Sequence, residues 1–150
     1  MARKRPVISE VSYGLYERFE AEGKTLPKLA ERGAFTTAVP PVVGQEFGYI
    51  VKIKQGRGMR IEFEIDHPRI PDPDGKVMAP FRGEVFVRNS DFDFFLGDAL
   101  WEPIEHMVGE WKLSIRLGGK VVHRRTFEVL PSAPPEDEPG GSDWGDLPMQ

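Results

Sequence analysis

Residues 109–131 read GEWKLSIRLGGKVVHRRTFEVLP. Trp111, Leu113, Ile115 and Leu117 alternate with Lys112, Ser114 and Arg116, the two-residue period of a strand with one buried face. Gly118-Gly119 supplies the positive φ that a tight reversal needs, and a second run continues to Pro131. In that run Phe127 and Val129 share a parity with His123 and Arg125, while Val122 lies on the other. One extra residue, a bulge near His123 to Arg125, reconciles the phases. Nothing in this hairpin is reactive. It reads as scaffold, with Trp111 as the core anchor.

The same period recurs upstream. Over residues 7–20, Val7, Val11, Tyr13, Leu15 and Phe19 share one parity, and Gly14 inside the run predicts a bulge or a close backbone approach. Pro27, Gly33 and Pro40-Pro41 break up residues 21–46. A helical turn in TLPKLAERGAF is compatible with that stretch; the expectation is loops plus one short strand near Phe35–Val39. Phe47, Tyr49, Val51 and Ile53 alternate with Gly48, Ile50, Lys52 and Lys54. QGRG turns the chain, and Met59, Ile61, Phe63 and Ile65 then alternate with charged residues, so 47–66 is predicted as a hairpin with Glu62 and Glu64 facing Lys52 or Lys54. GEVFVR and FDFFLG add two more strands. Asp74-Gly75 reverses the proline-rich loop between 67 and 76. Pro103 limits any helix after Asp98 to about a turn, leaving residues 97–108 as a connection between sheets.

Seven or eight short strands, Gly/Pro-rich turns and almost no helix predict an all-β fold: an immunoglobulin-like antiparallel β-sandwich. The sandwich covers residues 7–130. Residues 1–6 form a basic arm, and residues 131–150 an acidic tail of proline, glycine and acid, expected to be disordered. The 150 residues carry a net charge of −4, with 39% hydrophobic and 29% charged side chains. The tail holds five acids and no Lys or Arg; the 24 acids less these five leave 19, against 20 bases. A near-neutral body gives no long-range field for nucleic acid or an anionic membrane, so neither is expected as a partner. The absence of cysteine removes disulfides, thiolate catalysis and cysteine-ligated metal. No apolar stretch succeeds the basic arm, so the expectation is a cytoplasmic protein without a secretory signal.

VSYGLYE at 11–17, together with GEWKLSIRLGGKVVHRRTFEV at 109–129, resembles an uncharacterised bacterial family, domain of unknown function 3859. The resemblance spans the body and excludes both arms. It implies an immunoglobulin-like fold, no assigned activity and no catalytic residue to carry over.

Three groups of residues are candidate sites. Asp72, Asp74 and Gly75 suggest part of a calcium loop, but Ile70 stands where another acid belongs and the distal glutamate is missing. Asn89, Asp91 and Asp93 alternate in NSDFDF, placing three oxygens along one edge where a cation could sit; a solvated turn with Asx hydrogen bonds is the preferred reading. His67, His106 and His123 are too scattered for a zinc motif. No serine lies in a Gly-x-Ser-x-Gly elbow, and no polar groups converge, so the chain reads as a non-enzyme without a cofactor. In the tail, Trp144, Leu147 and Met149 stand among acids, where an indole gains only by docking. The reading is a non-catalytic module for a protein partner or self-association. The alternative is a small-ligand or divalent-metal domain using the 66–75 and 89–93 loops.

Overall fold

The computed structural model describes residues 5–17 and 28–132. It contains nine strands and one 3-10 turn: β1 (Val7–Glu17), β2 (Lys28–Ala34), β3 (Ala38–Val39), β4 (Glu46–Lys54), β5 (Arg60–Asp66), β6 (Phe81–Phe86), β7 (Asp91–Ala99), the turn Ile104–Met107, β8 (Gly109–Leu117) and β9 (Lys120–Val129). One sheet has the order β2-β1-β4-β7 and the other β3-β9-β8-β5-β6. All pairings are antiparallel except that β3 runs parallel to β9. The order β1-β4-β7 facing β9-β8-β5-β6 is the immunoglobulin arrangement of A-B-E against G-F-C-C′.

The closing hairpin forms as its period predicts, with Trp111 opposite Phe127 and Leu117 opposite Lys120. The register slips between Ile115 and Arg116, which face His123 and Val121, so Val122 is the extra residue. The second predicted hairpin does not form. β4 and β5 lie in different sheets, and residues 55–59 carry the chain between them. A glycine-rich link between two period-two runs suits an arch as well as a hairpin, and only long-range pairing decides. Lys52 therefore meets Asp91 and Asp93 of β7, at 2.8 and 3.0 Å, and Glu64 meets Arg82 of β6.

β1 departs from its predicted phase. A register shift between Glu10 and Ser12 turns Ile8 and Glu10 inward, so Val7 and Val11 are exposed. A second shift comes after Gly14, where φ is +136° and the backbone of Gly33 and Phe35 crowds the Cα. That is the close approach the glycine permits. Residues 28–34 form a strand where a helical turn is compatible with the sequence, because their backbone completes the edge of β1.

The core lies between the sheets, with Phe47, Tyr49, Val51, Ile53, Ile61, Leu113, Ile115 and Phe127 fully buried. Trp111 packs edge-on against Phe47, with ring centroids 5.3 Å apart, and its Nε1–H donates to the Met107 carbonyl at 2.8 Å. This ties the start of β8 to the turn that enters it, as a tyrosine corner does in immunoglobulin domains. From the opposite sheet, the Tyr49 hydroxyl donates to the Leu113 carbonyl at 2.9 Å. Loops 55–59, 87–90 and 118–119 gather at one end of the sandwich, the Lys54 end. Loops 35–45, 67–80 and 100–108 gather at the other, the Glu46 end.

Candidate functional site

The side chains named from the sequence separate in space. Asp72 sits at the Glu46 end, where its Oδ1 accepts from the N–H groups of Asp74 and Lys76, each at 2.9 Å. Asp91 and Asp93 sit at the Lys54 end, on either side of the Lys52 ammonium. The 66–75 and 89–93 loops thus stand at opposite ends of the molecule, and their carboxylates do not meet. Among the described residues no three His, Asp or Glu side chains are grouped to hold a metal ion. Trp111 is fully buried. Trp144, Leu147 and Met149 lie outside the described residues.

The densest polar cluster is one that parity does not reveal. Glu10 of β1 points into the gap between the sheets and accepts from Arg125 of β9 at both oxygens, at 2.6 and 2.8 Å. His123 Nε2 lies 3.0 Å from the same carboxylate. The Arg125 guanidinium lies 3.5 Å above the Tyr13 ring, and His123 packs on Tyr49. Burial alone would raise the Glu10 carboxyl; the hydrogen bonds and charge of Arg125 and His123 outweigh it and hold the group below the usual range. Burial, helped by the Glu10 charge, pushes the Tyr49 phenol well above its ordinary value. Both Glu10 oxygens are thus taken by Arg125, and one of them by His123 as well. The cluster closes the flank where β1 and β9 lack full neighbours, as inward charges do at sheet edges. The sequence signal for Glu10 is the phase conflict in β1, where one bulge turns it inward; Arg125 and His123 face inward by plain alternation with Phe127.

The other flank is open among the described residues, where β7 pairs with β4 alone and β6 with β5 alone. Which backbone groups face outward is set by ladder alternation. The Gln55 N–H bonds the Ser90 carbonyl at 2.8 Å, and the Leu100 N–H bonds the Gln45 carbonyl at 3.0 Å. Counting by twos between these points turns Phe92, Phe94, Leu96 and Asp98 toward β4. Asp93, Phe95 and Gly97 therefore direct their N–H and C=O groups away from the sheet. The same count on β6, anchored by Val87 and Met59, turns Arg82, Glu84 and Phe86 outward. Two of those three are charged and ion-paired, to Glu64 and Arg60, which guards that edge. β7 is guarded at its start by Asp91 and Asp93, and at its end Asp98 Oδ1 accepts from the outward Ala99 N–H at 2.8 Å. Between them the free-edge positions Phe95 and Gly97 carry no charge, and half-buried Phe92 and Phe94 line the gap beside them. Phe94 reaches Phe63 of the other sheet at 5.9 Å.

No helix among the described residues is long and apolar enough to cross a membrane. No curated protein matches the chain. Among solved structures, the chain is similar to an immunoglobulin-like protein from Pseudomonas aeruginosa. The TM-score is 0.64 at 20% identity, covering 86% of this chain and 99% of that one. At this identity the likeness speaks for the fold alone. A family model matches residues 4–129, from the basic arm to the last residue of β9. The chain therefore belongs to the family described as a domain of unknown function, DUF3859.

Proposed function

We propose that the protein is a non-catalytic interaction module that offers the free edge of β7 to an extended strand of a partner protein, with residues 133–150 as a second docking segment. The observation that carries the edge reading is the set of outward backbone groups at Asp93, Phe95 and Gly97, with no charged side chain at Phe95 or Gly97. An incoming strand gains main-chain hydrogen bonds there, and the Phe92 and Phe94 side of the gap gives it apolar cover. What supports a non-catalytic reading is that, among the described residues, the densest titratable cluster has its carboxylate held by Arg125 and His123 and closes a flank. For the tail, support comes from Trp144, Leu147 and Met149, whose apolar surface gains only on burial.

Capture from the native cell tests both parts, using three forms of the full chain. Asp93→Ala keeps the free-edge N–H and should retain the partner. Asp93→Pro removes that donor without touching the β4 ladder and should lose it. Partners that survive both Asp93→Pro and deletion of residues 133–150 would overturn the reading.

A further inference from the structure

The near-neutral body hides a strong separation of charge along the sandwich axis. At the Lys54 end, Arg5, Lys54, Arg57, Arg88 and Lys120 are exposed. None of the five makes an ion pair with another described residue. Loops 55–59 and 87–90 contain no acid; Asp91 and Asp93, at the same end, are held by Lys52. The two loops are fastened to one another by Gly58 N–H to the Val87 carbonyl at 2.9 Å, Val87 N–H to the Met59 carbonyl at 2.8 Å, and the Gln55–Ser90 bond. Arg57 and Arg88 therefore project from one plate. Phe86, which opens that plate, is 53% exposed. At the Glu46 end the sign reverses: loops 67–80 and 100–108 carry Asp72, Asp74, Glu102 and Glu105 against Arg69 and Lys76.

β9 runs from the basic end to the acidic one, so the chain leaves Val129 beside the acids. The remaining segment, residues 133–150, carries Glu136, Asp137, Glu138, Asp143 and Asp146 and no base. The charge of that segment is like that of the end where it starts and opposite to that of the Lys54 end. The ten residues of β9 rise ~33 Å. The 18 residues from 133 to 150 span at most ~60 Å, enough to return along the sandwich.

We infer that the acidic segment 133–150 docks on the basic Lys54 end of its own domain, with Asp143 and Asp146 against Arg57 and Arg88 and the Trp144 indole against Phe86. Tethering favours the own-domain contact over a second copy, because the linker holds the segment at high effective concentration. This rests on the reading of residues 133–150 as a docking segment and is independent of the β7 edge.

The absence of native cysteine permits a clean test in the full chain. A spin label placed through Ser142→Cys should broaden the amides of Gly58, Arg88 and Asn89 and spare those of Asp74 and Glu105. The broadening should fall about fivefold or more between 50 and 500 mM salt, since these are exposed charges, and should vanish in the double variant Arg57→Glu, Arg88→Glu. Broadening that is absent, or centred on the Glu46 end, overturns the proposal. So does broadening seen only between molecules in a mixture of isotope-labelled and spin-labelled protein, which would assign the segment to a second copy. Duplex DNA shifting the same amides in a protein without broadening would assign the end to nucleic acid and also overturn it. These outcomes are read without any partner, so a failure here is distinct from a failure of the capture experiment.

Discussion

Glu10 and Arg125, 115 residues apart in the chain, form a two-point ion pair between the two sheets, at 2.6 and 2.8 Å. With side chains only 16% and 29% exposed, the pair is poorly screened. Removing one partner leaves the other charged group half-buried without its match. Glu10→Ala should cost about 2 kcal/mol in urea unfolding. Adding Arg125→Met should recover part of that loss, because an apolar replacement of both partners removes the stranded charge.

The same pair sets a pH dependence. The folded Glu10 carboxyl lies below its unfolded value, so the folded state binds the proton less well. Its contribution is fully present above the ordinary carboxylate range and is lost as pH falls through the lower folded value. Thermal melts from pH 7 to pH 3 should show a steeper loss for the natural protein than for Glu10→Gln. Parallel curves would contradict this.

Trp111→Phe should cost about 1–3 kcal/mol by denaturant unfolding, since it vacates fully buried volume and leaves the Met107 carbonyl without its donor. Leaving stability within about 0.5 kcal/mol would show that the corner does not anchor β8.

Gly48 faces Gly14 on one side and Gly97 on the other, a glycine row across the first sheet. Its φ is +153°, and an added Cβ would collide with the Leu96 carbonyl. Gly48→Ala should therefore lower stability by more than about 2 kcal/mol or prevent folding, measured by circular dichroism and melting. A native-like melt would contradict the close approach of β4 and β7.

Divalent cations should leave the melting midpoint unchanged. A cation at Asp91 and Asp93 must displace Lys52, and one at Asp72 must break the two backbone bonds that shape its turn. A ligand at a hundred times its Kd adds about 2.7 kcal/mol to folding, so a real site would raise the midpoint plainly. A rise with calcium, magnesium or zinc would restore the metal reading.

Period-two alternation made the strands of the body legible, and the double glycine made the last hairpin legible; its bulge falls at Val122, just before the His123 to Arg125 stretch where the phases placed it. Sheet membership was not legible. QGRG reads as a hairpin turn, yet it is an arch between layers, because the turn residues set the direction of the chain and not its hydrogen-bonding partner. Inward Glu10 was hidden for a related reason: a single bulge in β1 exchanges the two faces, so Val7 and Val11 look like core and are exposed. The β7 edge needed the sheet order, which no local pattern contains. Loop charges were visible in the sequence, but their sorting to opposite ends required knowing which loops share an end.

Residue-resolved amide exchange along β7 tests the open edge most directly. In the free protein, Asp93, Phe95 and Gly97 should exchange fast while Phe92, Phe94 and Leu96, bonded to β4, exchange slowly. Equal protection of all six amides would mean that the edge is already covered, and the interaction account would fail.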